Sequence, residues 1–208
     1  AIVTTRPEHR VPSAYDKFGQ DDEIASFYAL AVNQTALPTD KRYTQQMKAA
    51  AILDKLFTRL PDHPGVAHYL IHAYDHPPLA EKALPAARRY AKVAPDAPHA
   101  LHMPSHTFTR VGHWEDSIAT NLASADAARK ANSPAEVLHA FDYQVYAYLQ
   151  TAQDTAAKRV LAELTKLVGT VNTAEQYGQV GYYADAAIPA RIALERGAWQ
   201  DAAVLAAR

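Results

Sequence analysis

Apolar residues recur along this chain with the period of a helix rather than a strand. In "TQQMKAAAILDKLFTRL" (44–60) and "AAKRVLAELTKLV" (156–168) they fall at i, i+3, i+4 and i+7, so one face of each segment is apolar and the other polar. Strand-like alternation is hard to find, alanine is abundant and glycine numbers only 7. The pattern predicts an all-α fold. Start signals divide it into separate helices. Ser133-Pro134-Ala135-Glu136 reads as a capping box with proline at the first helical position, and Asp62 with Pro64 opens another helix in the same way.

The helices come in pairs, and the pairs repeat. In "SHTFTRVGHWEDSIATNLASADAA" (105–128) a small residue, Ser105, is followed by Phe108, Gly112, Trp114 and a second small residue, Ser117. "RGAWQDAA", around Gly197 and Trp199, repeats "VGHWEDSI". Ala49, Ala83 and Ser117 stand 34 positions apart, with further matches at Ala157 and Ala202. This series resembles the tetratricopeptide repeat, which has the same period. The resemblance implies a right-handed solenoid of antiparallel helix pairs, A and B. Small side chains let paired helices approach, and aromatics fill the holes between repeats. It covers most of residues 23–208 as about five units, the last one incomplete, and leaves 1–22 as an irregular N-terminal extension. The incomplete unit predicts a fragment of a longer array. The whole chain is similar to uncharacterised bacterial tetratricopeptide proteins with the same "HPG…HYLIH…HMPSH" pattern. That likeness implies a bacterial origin and leans toward export, and it supplies no substrate, since fold alone licenses none.

Composition narrows the partners. The formal net charge is −1 at pH 7 and no basic run occurs, which argues against a nucleic-acid surface. No apolar run reaches the ~20 residues of a membrane span. The opening "AIVTTRPEHR" lacks the regions of a signal peptide, and since a leader is removable the cellular address stays open. The absence of cysteine excludes disulfides and thiolate ligands, so a transition metal here rests on imidazole and carboxylate.

Histidine changes the picture most. The chain has 10, of which four lie in "HPGVAHYLIHAYDHP" (63–77) and three in "PHALHMPSH" (98–106). The tetratricopeptide resemblance implies that helix A of each unit lines a concave groove. With the small helix-B residue set at the twentieth position, the groove positions follow by counting. They are His68, His72, Asp75 and His76 in the second unit, and His99, His102, His106, Thr109 and Arg110 in the third. The fourth contributes His139, Asp142 and Tyr146, and the fifth Arg191 and Glu195. Seven histidines thus share one face, whereas His9, His63 and His113 fall elsewhere, and His63 and His113 read as structural. His68, His72 and His76 are expected to stack along one helix, about 6 Å apart, and His102 and His106 repeat the spacing. Neighbouring helices ~8–10 Å apart let such side chains converge. Pro104 either kinks the third A helix or starts it, leaving His99 and His102 on the preceding turn. Pro85 falls inside the second B helix and Pro189 inside the fifth A helix.

Two functional readings follow. In the first, a divalent transition metal (Zn, Cu, Ni or Fe) is held by His68, His72, His102 and His106, with His76, His99, His139, Asp75 and Asp142 as alternates. An open coordination position would carry a water activated with Asp75 or Asp142 as base, as in a metalloenzyme. In the second, the groove is a protein-interaction surface. Its histidines, with Thr109, Arg110, Tyr146, Arg191 and Glu195, receive an acidic or carboxylate-bearing peptide or small molecule. The plain alternative to both is a packed network of neutral imidazoles hydrogen-bonded to Tyr69, Tyr74, Tyr143 and Asp142. Tyr74, Phe108, Trp114, Tyr148 and Trp199 read as core, and "KALPAARRYAK" (82–92) as a solvated outer face. Named motifs fail: Tyr69 stands where the HxxxH of a zincin carries glutamate. Ser105 beside His102 and His106 is the sole trace of a hydrolase dyad.

Overall fold

The computed structural model describes residues 14–171 and 174–205. Among these there are helices and no strands, as the apolar period predicts. The sequence reads 1–22 as irregular, yet 14–18 are helical, and Tyr15 stacks on Tyr28 with ring centroids 4.2 Å apart. Residues 1–13 lie outside the described part. No helix among the described residues is long and apolar enough to cross a membrane.

The chain divides into two compact units, one ending at Val93 and the other beginning at Ala94. The first holds α1 (Asp22–Gln34), α2 (Thr44–Arg59), α3 (Pro64–Tyr74), a 3₁₀ turn (Ala80–Ala83) and α4 (Leu84–Val93). Each helix packs on its successor, and α1 also meets α3. Leu53 and Leu56 of α2 are buried with Val66, Leu70 and Ile71 of α3, which closes the apolar stripes against each other. The residue capping α3 is His63, not Asp62: its Nδ1 accepts a hydrogen bond from the Val66 amide at 3.2 Å. Asp62 instead holds Arg89, 2.6 Å from Nη2 to Oδ2. Pro85 is explained by the chain path. Because the B segment breaks into a 3₁₀ turn and then α4, Pro85 is the second residue of a helix, where a missing N–H is tolerated.

The second unit holds α5 (Pro98–His102), α6 (Pro104–Val111), α7 (Trp114–Lys130), α8 (Pro134–Gln150), α9 (Asp154–Val168), α10 (Ala174–Glu195) and α11 (Trp199–Ala203). Here α8 is central, packing on α5, α6, α7, α9 and α10. Its Leu138, Phe141 and Val145 join Ala157, Val160 and Leu164 of α9 and Ala184 and Ile188 of α10 in one core. The small repeat residues sit where close approach needs them: Ala49, Ala83, Ser117 and Ala157 are all fully buried. Gly112 and Gly197 end their helices at φ 78° and 61°, a left-handed backbone that glycine adopts without steric cost.

Three local expectations change. Ser133 precedes α8, but its side chain makes no capping bond, and Glu136 turns toward His99 rather than back to the cap. Trp199, expected in the core, is 68% exposed. Its counterpart Trp114 lies edge-on to Tyr146 of α8, centroids 5.7 Å apart, and no described helix offers Trp199 such a ring. The Pro104 question resolves toward a helix start: α5 ends at His102, Met103 keeps helical dihedrals and α6 begins at Pro104. His102 and His106 therefore stay one turn apart across a gap in the hydrogen-bond ladder.

Candidate metal centre

Three helices of the second unit bring imidazoles together. His102 comes from α5, His106 from α6 and His139 from α8, and one donor atom of each lies within 4.8 Å of the others. His102 is fully buried. Its Nδ1 lies 2.7 Å from Asn121 Oδ1, while Asn121 Nδ2 donates to the Ser117 carbonyl at 2.8 Å. The second bond fixes which way the amide points. Asn121 therefore presents its oxygen to His102, so Nδ1 carries the proton and Nε2 keeps its lone pair. Gln144, also buried, donates to the Asn121 carbonyl at 3.0 Å and ties α8 to this support.

From that anchor the rest of the chain of bonds has one direction. His102 Nε2 faces His106 Nε2 at 3.1 Å, and Tyr143 Oη lies 3.4 Å from His106 Nδ1. Without metal, Tyr143 donates to His106, His106 to His102 and His102 to Asn121. A bound metal would take both Nε2 lone pairs in place of the bond between the two rings. Two imidazole nitrogens on a tetrahedral ion with bonds of ~2.0–2.1 Å stand ~3.3 Å apart, so the observed spacing requires only a small adjustment. Around the group, the His139 ring lies 4.1 Å from that of His102, and Tyr143 stands edge-on to His102 at 4.7 Å.

Burial keeps His102 and His139 neutral, the form that binds metal. Burial holds the His139 imidazole down to about 4, with smaller contributions from His106 and His99. Burial, then the neighbouring His139 and His106, holds His102 well below the ordinary histidine range. His99, 6.2 Å from His102 between ring centroids, is also lowered by burial, against the pull of Glu136. Glu136 Oε2 is 3.9 Å from His99 Nδ1 and has no hydrogen-bond partner.

In the first unit, His68 and His72 form a pair, Nε2 to Nε2 at 3.0 Å, with Tyr90 Oη 3.4 Å from His68 Nδ1. His76 does not extend this row. The helix ends at Tyr74, Asp75 is its C-cap and the His76 ring instead lies 4.8 Å from Tyr43. Asp142 does not face the imidazoles as ligand or base. Its buried carboxylate takes Arg191 Nε at 2.9 Å and Nη2 at 3.3 Å, and burial raises its pKa despite that guanidinium. Arg191 also lies over the Tyr146 ring at 5.1 Å. Thr109 bonds Ser117 Oγ at 2.9 Å, while Arg110 and Glu195 are exposed. Tyr74 bonds Asp54 at 2.6 Å rather than a histidine. Ser105 Oγ is buried without a hydrogen-bond partner, so it forms no dyad. His113 lies 3.5 Å from Asp116 at the start of α7, the structural role its position suggested.

Sequence reasoning passed over Asn121 and Tyr90, and read Glu136 only as a capping residue. Asn121 did leave a trace: it sits four residues after Ser117 on the buried face of α7, where the period calls for a small or apolar residue. No protein-family model matches the chain, and no curated protein matches it.

Proposed function

We propose that this chain is a tetratricopeptide-like right-handed solenoid of antiparallel pairs that binds a divalent transition metal through His102, His106 and His139. The observation that carries the reading is the convergence of three imidazole donors within 4.8 Å, one of them oriented by Asn121 from behind. Three nitrogen ligands without thiolate suit Zn, Cu, Ni or Fe. They leave a fourth coordination position, and His106 and His139 are only half-buried, so small molecules can reach it. A metal bound there would act as a Lewis acid and lower the pKa of a coordinated water. Asp142 has no part in this, being engaged by Arg191.

The repeat register supports the solenoid. Counted in that register, the fifth and ninth residues of the third A helix, His102 and His106, meet the second residue of the fourth, His139. The fifth and ninth of the fourth, Asp142 and Tyr146, meet the ninth of the fifth, Arg191. Successive A helices sharing an inner face give this pattern. The interaction-groove reading is weaker, because Arg191, its best carboxylate receptor, already holds Asp142 and stacks on Tyr146.

The test is metal analysis of protein purified without a histidine tag. Metal bound to the wild type, lower by one equivalent in a His102→Ala/His106→Ala variant whose helix content by circular dichroism is intact, is the expected result. Unchanged metal in that variant would reject the proposal.

A further inference from the structure

The first unit repeats the geometry on its own. His68 and His72 stand four residues apart on α3 with their Nε2 atoms 3.0 Å apart and ring centroids 4.9 Å apart, inclined at 30°. Two imidazoles in adjacent positions on one ion, with bonds of ~2.0–2.1 Å, place their nitrogens ~2.9 Å apart in square or octahedral geometry and ~3.3 Å apart in tetrahedral geometry. The observed spacing lies between these. The same helical spacing supplies two imidazole ligands wherever HxxxH binds zinc, because one turn puts both rings on one face.

Two further features favour a cation. Behind His68 stands Tyr90 of α4, 5% exposed, whose hydroxyl lies 3.4 Å from His68 Nδ1 and thereby turns Nε2 toward His72. Tyr143 stands to His106 at the same 3.4 Å. His72 lies in the last turn of α3, where unsatisfied carbonyls give the helix end its negative character. Both rings are half-buried, flanked by Ala67, Leu70 and Ile71, so they are accessible and still supported.

We infer that His68 and His72 form a second, independent metal site, contributing two imidazole ligands to Cu(II), Zn(II) or Ni(II). The inference takes the metal chemistry of the preceding proposal as its frame, but its residues are separate.

Equilibrium dialysis of the untagged full chain against Zn(II), with metal counted by plasma spectrometry, tests it. The wild type should bind two equivalents, a His68→Ala/His72→Ala variant one, and a His102→Ala/His106→Ala variant one. Tyr90→Phe, which keeps the packing, should weaken the second equivalent about 10-fold. Two equivalents retained in the His68→Ala/His72→Ala variant would overturn the inference and leave the three-histidine site standing. One equivalent in the wild type, lost from either double variant, would overturn it as well, as would no binding at all. Two equivalents retained in the His102→Ala/His106→Ala variant, with one in the other, would overturn the three-histidine site instead. Should a double variant lose helix content, the Tyr90→Phe binding curve decides: affinity unchanged from wild type counts against the inference.

Discussion

At the scale of single residues, Asn121 decides more than any histidine does by itself. An imidazole becomes a directed ligand only when its other nitrogen is held, and Asn121, itself held by the Ser117 carbonyl, does this for His102. Replacing Asn121 with alanine should therefore act twice. It leaves a buried Nδ1–H unpaired, at about 1–3 kcal/mol of stability, which urea unfolding would read. It should also weaken metal binding by about 10- to 100-fold with all three ligands intact, measurable by competition with a chromophoric chelator. Equal affinity in mutant and wild type would mean that the Asn121 bond is packing alone. The histidines themselves were legible from their spacing. Which nitrogen each one offers was not, because a tautomer depends on a partner contributed by another helix.

At the scale of elements, the period of apolar residues located the helices well, and the small repeat residues other than Ala202 are fully buried. Ala49, Ser117 and Ala157 lie inside helices and are fully buried, as a small-residue contact demands. Helix ends were less readable. His76 was counted one turn beyond His72, but α3 stops at Tyr74 and the ring goes to Tyr43. No glycine marks that stop; Pro77 and Pro78 follow, and an end that proline enforces falls a variable number of residues before it. Where glycine does mark an end, the mechanism is plain. At Gly112, φ is 78°, and an added Cβ would meet nothing nearer than Trp114 Nε1 at 3.9 Å. Gly112→Ala should thus cost about 1 kcal/mol through backbone conformation alone, seen as a lower urea midpoint with an unchanged slope. A cost near zero would show that the turn between α6 and α7 does not require the left-handed backbone.

At the scale of the molecule, burying several imidazoles makes the stability of the metal-free protein depend on pH in a defined direction. His139 titrates at about 4 in the fold against an ordinary 6.5. Between those values the unfolded chain holds a proton that the folded chain refuses, so stability rises with pH there and is lost as pH falls from about 6.5 toward 4. His102 and His99 shift the same way. Urea midpoints of the metal-free chain at pH 7 and pH 5 should drop for the wild type and drop less for His139→Gln. Equal drops in both would show that His139 is not held neutral by the fold.

The sequence alone determined that this chain is helical, where most helices run, which faces they bury and that His68 with His72, and His102 with His106, stand one helical turn apart. Those are properties of local spacing, set by 3.6 residues per turn. Only the tertiary structure decided that His139 completes a group with His102 and His106, that Asp142 belongs to Arg191, and that Asn121 orients the central ring. Each of these is a contact between helices 19 to 49 residues apart, fixed by packing distances and side-chain rotamers that no periodicity encodes.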